Sequence, residues 1–453
     1  MNYNQLLQRQ RAFFNSNATK DIQYRKSILI KLRDVIRENE RKLYQAINED
    51  FGKSDYETYT TELAFIYNEI EYFLKNLNRL SHPKKVKTNI INQLGTSKIY
   101  YEPYGCSLII GAWNYPYQLT LVPAICSLAA GNTVLLKPSE IASNSSNMIR
   151  TIINDNFESN LIHVVEGGAN ETTFLLKERF DKIFFTGSTH VGRIVNQAAA
   201  QNLTPITLEL GGKSPTIVTK SADLKVSARR IVWGKYLNAG QTCIAPDYVY
   251  VDNKVKDAFL SELKKHIEQY AYSVDSGNYT RIISQNHFIR LKNMLSCGTL
   301  YYGGRTDEKN LVIEPTILCD VDWNEVIMQE EIFGPILPVI GYDDFDKMLE
   351  IIKNQEKPLA AYLFTKNEKE KNIFLNNISF GGGCINDTVM HISNPDLPFG
   401  GVGNSGMGNY HGEYGFLSFS HQKSVLEKIT WGEPNFRYPP YTISKKKIVK
   451  KLQ

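Results

Sequence analysis

From residue 98 the chain alternates short β-type runs with helical stretches. KIYYEPYGCSLIIGAW reads as strands around a Pro-Tyr-Gly turn, LTLVPAICSLAAG as a helix, and NTVLLKPSE as a buried strand ending in a polar loop. SSNMIRTIINDNF (helix), IHVVEGG (strand), DKIFFTGS (strand) and THVGRIVNQAAAQN (helix) continue the pattern. Strand, helix, strand at this spacing builds βαβ units and hence a parallel sheet. The ligands of such a sheet collect at the carboxyl ends of its strands. A second α/β series begins near LTPITLELGGKSPTIV and runs through VYVDN, AFLSELKKHIEQY, PTILCDV and GPILPVIGYDDFDKMLEIIKN to FGGGCIND. The fold class is therefore α/β. The stretches that precede the alternation, DIQYRKSILIKLRDVIRENERKLYQAINEDFGKS and TELAFIYNEIEYFLKNLNRL, carry apolar residues at helical intervals, and HPKKVKT breaks that pattern. The glycine-rich PFGGVGNSGMGNYHGEYG reads as a loop.

At 453 residues the chain exceeds one ordinary core, so two or three domains are expected. The net charge is +5, and the segment SKKKIVKKLQ holds five lysines and no acid, so the rest balances with 47 charges of each sign. No basic face for nucleic acid is indicated. The lysines leave a weak contact with anionic lipid open, beside the plainer reading of a frayed, solvated C-terminus. The N-terminal MNYNQLLQRQRAFF has no apolar stretch of the signal-peptide kind, and LTLVPAICSLAAGNTVLL is broken by Pro123 and Gly131-Asn132, so it is not a membrane span. Six cysteines show no CxxC pair and read as reduced thiols of a cytoplasmic protein. Eight histidines show no paired ligand spacing, so no metal site is expected.

Of the cysteines, Cys106, Cys126 and Cys319 lie in apolar runs and read as core, while Cys297 and Cys384 lie beside glycines. Cys243 differs. It follows Asn-Ala-Gly-Gln-Thr, which reads as a flexible lead that lets another molecule approach, as a nucleophilic thiol requires. Glu209, in LELGGKSP, lies between leucines. There it is either a carboxyl group with a raised pKa, fit to act as a general base, or a strand-end partner in an ion pair. Gly211-Gly212 would let backbone approach a ligand. Asn114, in GAWNYP, offers a side-chain amide to a developing oxyanion, or simply forms a turn. FTGSTHVG resembles a dinucleotide turn but departs from GxGxxG, having only Gly187 and Gly192. Lys137 and Glu140 in KPSE suit ribose or phosphate, or form a surface pair. QEEIFGP brings Glu331 and Phe333 ahead of a strand.

GAWNYP, KPSE, FTGSTHVG, LELGGKSP, NAGQTC, EEIFGP and PFGGVGNSGMG occur in this order along one chain. In these motifs the sequence resembles the NAD(P)-dependent aldehyde dehydrogenases from end to end. QTCIAPDY, SFSHQKSVL and RYPPYT resemble the class 3 branch of fatty and aromatic aldehyde dehydrogenases. The resemblance implies a Rossmann-like cofactor domain (1–82 and 104–208), an α/β catalytic domain (209–404), a small β oligomerisation arm (83–103 and 405–430) and a basic tail (431–453).

In that likeness Cys243 attacks an aldehyde, Asn114 and the Cys243 N–H hold the oxyanion, and Glu209 activates the water that hydrolyses a thioester. Lys137 and Glu140 fall on the adenosine ribose, and Gly187, Ser188 and Gly192 near the pyrophosphate. Glu331 falls on the nicotinamide ribose, Phe333 beside the nicotinamide, and Leu210 contributes backbone. NAD is expected to be used well. NADP is left open, because Glu140 repels a 2′-phosphate while Lys137 offsets it. Tyr115, Trp233 and Leu237 match pocket positions, the last two four apart on one helix face. Such a lining favours aliphatic medium- or long-chain, aromatic or isoprenoid aldehydes. His391 lies near where the family narrows its pocket. A homodimer is implied. Membrane-bound class 3 members end in a hydrophobic helix, whereas SKKKIVKKLQ carries no spanning anchor and at most a peripheral contact. Two other readings stand beside this one: a CoA-acylating dehydrogenase, against which Glu209 argues, and a catalytically silent nucleotide-binding or structural protein, against which the intact trio Cys243, Glu209 and Asn114 argues.

Overall fold

The computed structural model describes residues 3–452. The N-terminal apolar periodicity becomes five helices: α1 (Tyr3–Asn15), α2 (Ile22–Glu38), α3 (Glu40–Phe51), α4 (Asp55–Thr58) and α5 (Ala64–Ser81). Helix α3 stops at Gly52, whose φ of 71° places it in the left-handed region that a C-cap favours. A single π-helical turn, Tyr59–Leu63, joins α4 to α5. Ile66, Ile70, Phe73 and Leu77 bury one stripe of α5 against its neighbours.

After the short strands β1 (Lys84–Val86) and β2 (Gly95–Pro103) comes the first parallel series. Its elements are β3 (Cys106–Ile110), α6 (Pro116–Ala130), β4 (Thr133–Lys137), α7 (Ser143–Asn154), β5 (Ile162–Val164), α8 (Ala169–Leu175), β6 (Lys182–Thr186), α9 (Thr189–Gln201) and β7 (Ile206–Glu209). Every residue of β3, β4 and β6 is buried, because helices cover both faces. Every residue of α6 is buried too, so it lies inside the molecule.

The second series comprises β8 (Pro215–Val218), α10 (Leu224–Tyr236), β9 (Tyr248–Asp252), α11 (Lys256–Tyr270), α12 (Gln285–Met294) and β10 (Thr299–Tyr302). A hairpin of β11 (Thr306–Asp307) and β12 (Val312–Ile313) follows, then β13 (Thr316–Cys319), α13 (Val326–Gln329), β14 (Ile336–Tyr342), α14 (Phe345–Lys353), β15 (Ala360–Phe364), α15 (Glu368–Asn377) and β16 (Gly382–Ile385). The chain ends in β17 (Gly406–Met407), α16 (Gly412–Ser418), β18 (Ser420–Lys428) and α17 (Ile443–Leu452).

Three main sheets result. The first has the order β17-β7-β6-β3-β4-β5, the second β10-β13-β14-β9-β8-β15-β16, and the third β1-β2-β18. The run LTPITLELGGKSPTIV, read as the start of the second series, divides between two sheets. Its ITLE half closes the first sheet as β7 and its PTIV half opens the second as β8. Residues 210–214 carry the chain across, so Glu209 stands at the carboxyl end of one sheet where it faces the other.

The segment 405–430, expected as one arm, also divides. Only β18 pairs with β2, whereas β17 joins β7 of the first sheet and α16 packs on α5 and α6. The reason is apolar anchoring: Phe184 of β6 meets Tyr410 edge-on at 5.0 Å and stacks on Phe419 at 5.9 Å. The glycine-rich loop is thus held against the first sheet. The lysine-rich tail is helical rather than frayed, with no buried residue in α17. Among the described residues no helix is long and apolar enough to cross a membrane. Phe184→Ala should remove about 3–5 kcal/mol of local packing. Thermal unfolding should show a lowered Tm, and proteolysis should cut first within 400–419.

Candidate active site

The carboxyl ends of the first-sheet strands and the loops of the second enclose one cleft with a cavity volume of about 1330 Å³. Cys243, Glu209 and Asn114 all line it, though they come from 34 to 129 residues apart in sequence.

Cys243 sits beyond α10 in a loop that reverses through Asn238 and Ala239, with φ of 53° and 51°. The NAGQT lead is not the flexible approach expected from its composition. Asn238, Ala239, Gly240, Gln241 and Thr242 are all buried. The Gln241 amide explains the rigidity: its Nε2 donates to the carbonyls of Asn238 (3.1 Å) and Arg281 (3.0 Å), and its Oε1 accepts from the N–H of Ile283 (3.0 Å). The half-buried thiol therefore projects from a fixed loop. Burial pushes the thiol upward, and the carboxyl groups of Glu331 and Glu209 push it further.

Glu209 is 3% exposed, and neither carboxyl oxygen has a hydrogen-bond partner among the described residues. The alternative of a strand-end ion pair is not realised. Burial raises this carboxyl well above its ordinary range.

Asn114 lies in the loop between β3 and α6, four residues beyond the strand end. Its Nδ2 donates to the Gln241 carbonyl at 3.1 Å, and its own carbonyl accepts from Asn238 Nδ2 at 2.9 Å and Lys53 Nζ at 3.5 Å. The Asn114 and Cys243 loops are thereby tied together.

Lys53 and Glu62 escaped the sequence reading. Their side chains are fully buried and paired at 3.0 Å. Glu62 Oε2 accepts from the N–H groups of Tyr117 (2.8 Å) and Gln118 (3.3 Å) at the start of α6, and Lys53 lies 4.5 Å from the Tyr115 ring centre. The pair grips the Asn114 loop at both ends. Nothing local marks it, because charges nine apart near helix ends ordinarily face water.

Tyr115, Trp233 and Leu237 line the cleft. The Tyr115 hydroxyl pairs with Thr242 Oγ1 at 2.6 Å. Leu237 caps α10 in an extended conformation (ψ 131°), so it does not share a helix face with Trp233.

At the other end, Lys137 closes β4, with its Nζ donating to the Pro138 carbonyl (2.8 Å) and lying 3.5 Å from the half-exposed Glu140. Gly187 leads to Ser188, whose Oγ caps α9 by accepting from the Val191 N–H at 3.4 Å, and all three line the cleft. Gly192 does not. A Cβ there would fall 2.7 Å from Leu210 Cδ2, so this glycine lets α9 pack on the strand end. The Leu210 N–H is committed to the Ser405 carbonyl (3.1 Å), which leaves its carbonyl as the group it can offer.

Glu331 approaches Gly211 so closely that a Cβ there would lie 2.0 Å from its Oε2; the glycine admits the carboxyl group rather than, as expected, a ligand alone. Burial, with Asp247 nearby, pushes Glu331 up to about 8. Phe333, at a φ of 49°, sets its ring edge-on to Trp113 at 5.3 Å. Arg290 holds this turn by donating to the carbonyls of Glu331 (3.2 Å) and Ile332 (2.6 Å). It is a third residue the sequence reading missed, after Lys53 and Glu62. A lysine and an acid at a strand end, a capped helix N-terminus and a dry carboxyl group in one long cleft fit the ribose, pyrophosphate and nicotinamide ends of a dinucleotide.

The sequence pattern of the aldehyde dehydrogenase family matches residues 2–425. The chain belongs to the aldehyde dehydrogenase family. It is 46% identical to a 4,4'-diaponeurosporen-aldehyde dehydrogenase of Staphylococcus aureus, over 95% of each chain. It is 44% identical to a rat (Rattus norvegicus) aldehyde dehydrogenase described as dimeric and NADP-preferring, over 96% of this chain and 97% of that one. Among solved structures, the substrate-bound state of Staphylococcus aureus AldH superposes with a TM-score of 0.97 at 44% identity, covering both chains fully.

In this aldehyde dehydrogenase His391 is half-buried behind the cleft wall. Its Nδ1 lies 3.7 Å from Cys384 Sγ, its ring stacks on Phe399 at 6.0 Å, and burial lowers it to about 4. Its neighbours Met390 and Ile392, rather than His391 itself, line the cleft.

Because burial and two carboxyl groups favour the neutral thiol, the thiolate fraction of the free enzyme should be small at neutral pH and grow with pH. Iodoacetamide labelling of Cys243 should accelerate about tenfold per unit between pH 7 and pH 9 without a plateau. Glu331→Gln should label faster than the parent at each pH, read by mass spectrometry of the Cys243 peptide.

Proposed function

We propose that the enzyme oxidises aldehydes to carboxylic acids with reduction of NAD(P)+, using Cys243 as nucleophile and Glu209 as base. The observation that carries these roles is the dry, unbonded Glu209 carboxyl group in the same cleft as the Cys243 thiol, close enough to shift it. A base without a hydrogen-bond partner takes a proton more readily than one already paired. Glu209 first accepts the thiol proton, and Cys243 Sγ then bonds to the carbonyl carbon. The oxyanion is received by the Asn114 amide and the Cys243 N–H. A bound nicotinamide ring supplies the hydride acceptor. Loss of hydride leaves a thioester on Cys243. Glu209 passes the thiol proton to solvent and then takes a proton from water. The hydroxide attacks the thioester, the C–S bond breaks with its electron pair on sulfur, and Glu209 returns its proton to the thiolate as the acid leaves. A CoA-dependent release has no use for such a base.

For the cofactor, Lys137 and Glu140 hold the adenosine ribose, and the α9 N-terminus with Gly187 and Ser188 faces the pyrophosphate. Gly192 acts indirectly, by seating α9 on Leu210. Glu331 receives the nicotinamide ribose and Phe333 borders the ring. Tyr115, Trp233 and Leu237 border the aldehyde. The mostly apolar walls suit long or aromatic aldehydes, and the polyene aldehyde named for the Staphylococcus aureus relative favours an isoprenoid among them. We read the protein as a cytoplasmic homodimer with a weak contact to anionic membranes; its free cysteines, the dimeric rat relative and the exposed lysines of α17 support that reading. Sedimentation velocity and flotation with anionic vesicles test these two placements.

Cys243→Ala should abolish NADH formation from aldehydes. Glu209→Gln should retain a stoichiometric burst of NADH while steady turnover falls by about 10²–10⁴, with no rescue by CoA; rescue by CoA would favour the acylating route. Glu140→Gln should lower the KM for NADP about tenfold by removing repulsion of the 2′-phosphate, measured against an unchanged KM for NAD.

A further inference from the structure

Resting on the reading of the cleft as an aldehyde dehydrogenase site, we propose that Glu57 sets which aldehydes enter by charge: it turns away those bearing a second, anionic group and admits neutral ones. Glu57 lies on α4 and lines the cleft on the side of Tyr115, Trp233 and Leu237. Its Oε1 accepts the N–H of Asn238 at 2.9 Å, so the carboxylate is anchored to the loop that carries Cys243. Its second oxygen takes no hydrogen bond from the described residues.

The neighbouring cation does not neutralise it. Lys53 Nζ is committed to Glu62 at 3.0 Å, with both side chains fully buried, so Glu57 has no cation of its own. Burial raises the Glu57 carboxyl while Lys53 nearby opposes the rise, and the alkaline pH of the test below favours its charged form. The remaining cations of the cleft, Lys137 and Arg290, belong to the cofactor side. Lys137 sits beside Glu140, and Arg290 is pinned on the carbonyls of Glu331 and Ile332. An aldehyde with a distal carboxylate therefore meets like charge in a cleft whose walls screen it less than bulk water does, and among the described residues no unpaired cation lines that side to receive it. A neutral aldehyde of the same size meets only the apolar and aromatic walls.

The test compares 4-carboxybenzaldehyde with its neutral isostere methyl 4-formylbenzoate, with benzaldehyde as reference, at saturating NAD and pH 8.5. In the parent enzyme, kcat/KM for the acid should fall about a hundredfold below that of the ester. In Glu57→Gln, which keeps the shape and the Asn238 contact, the gap should close about tenfold, mainly through KM for the acid. A ratio near one in the parent, or an equal ratio in Glu57→Gln and parent, would overturn the proposal. The parent comparison decides by itself if the variant does not fold. Failure to oxidise benzaldehyde and the ester at all would instead overturn the underlying assignment of activity, and this inference with it.

Discussion

A carboxyl group kept dry where the chain crosses from one parallel sheet to another is the constraint around which the site is arranged. Glu209 ends β7, paired in register between Thr186 of β6 and Gly406 of β17, which fixes where its side chain meets the cleft. Leaving a buried polar group unpaired costs about 1–3 kcal/mol, and more if it is charged. The surrounding sheet tolerates that cost because β3, β4 and β6 are buried along their whole length. The same low-dielectric surroundings that raise Glu209 also raise Cys243 and Glu331. The free site thus favours neutral forms of all three groups. Charge separation then depends on what enters the cleft rather than on what already lies in it.

Around that centre, rigidity comes from parts of the chain remote in sequence. The N-terminal helices contribute more than a cover for the first sheet. Through Lys53 and Glu62 they hold the Asn114 loop by a carbonyl at one end and two N–H groups at the other. Breaking a buried pair on one side is far costlier than never having built it, because the surviving charge stays in the interior. Asn238 links three contacts: its side chain bonds Asn114, its N–H bonds Glu57, and its backbone turns the chain toward Cys243. The Asn114 amide, the loop that carries the thiol and the Glu57 carboxyl group are therefore mechanically one unit.

Much of this was legible from local pattern. The βαβ alternation specified the parallel sheets, and strand-end positions for Lys137, Gly187 and Glu209 followed from runs of apolar residues stopping at polar or glycine residues. The misreadings share a cause. NAGQT looks flexible because its residues are small and polar, yet the Gln241 side chain bonds Asn238 within the loop and the backbone of Arg281 and Ile283, which are distant in sequence. Gly192 looked like part of a phosphate turn, but its lack of a side chain serves packing against Leu210. Leu237 was placed on a helix that ends one residue earlier. The loop after residue 400 looked like a linker, but Tyr410 and Phe419 are anchored on Phe184.

The sequence by itself determined the α/β class, the order of the strands along the chain and the chemical types able to act: a thiol after a run of small and polar residues, an acid among leucines, an amide after a strand. These are legible because hydrogen-bonding period and side-chain chemistry are local properties. Only the tertiary structure decided that Glu209 has no hydrogen-bond partner among the described residues, that Lys53 and Glu62 are buried partners, and that Glu57 lines the cleft while bonded to the Asn238 N–H. Burial and electrostatic pairing depend on which distant segments meet, and no short stretch of residues carries that information.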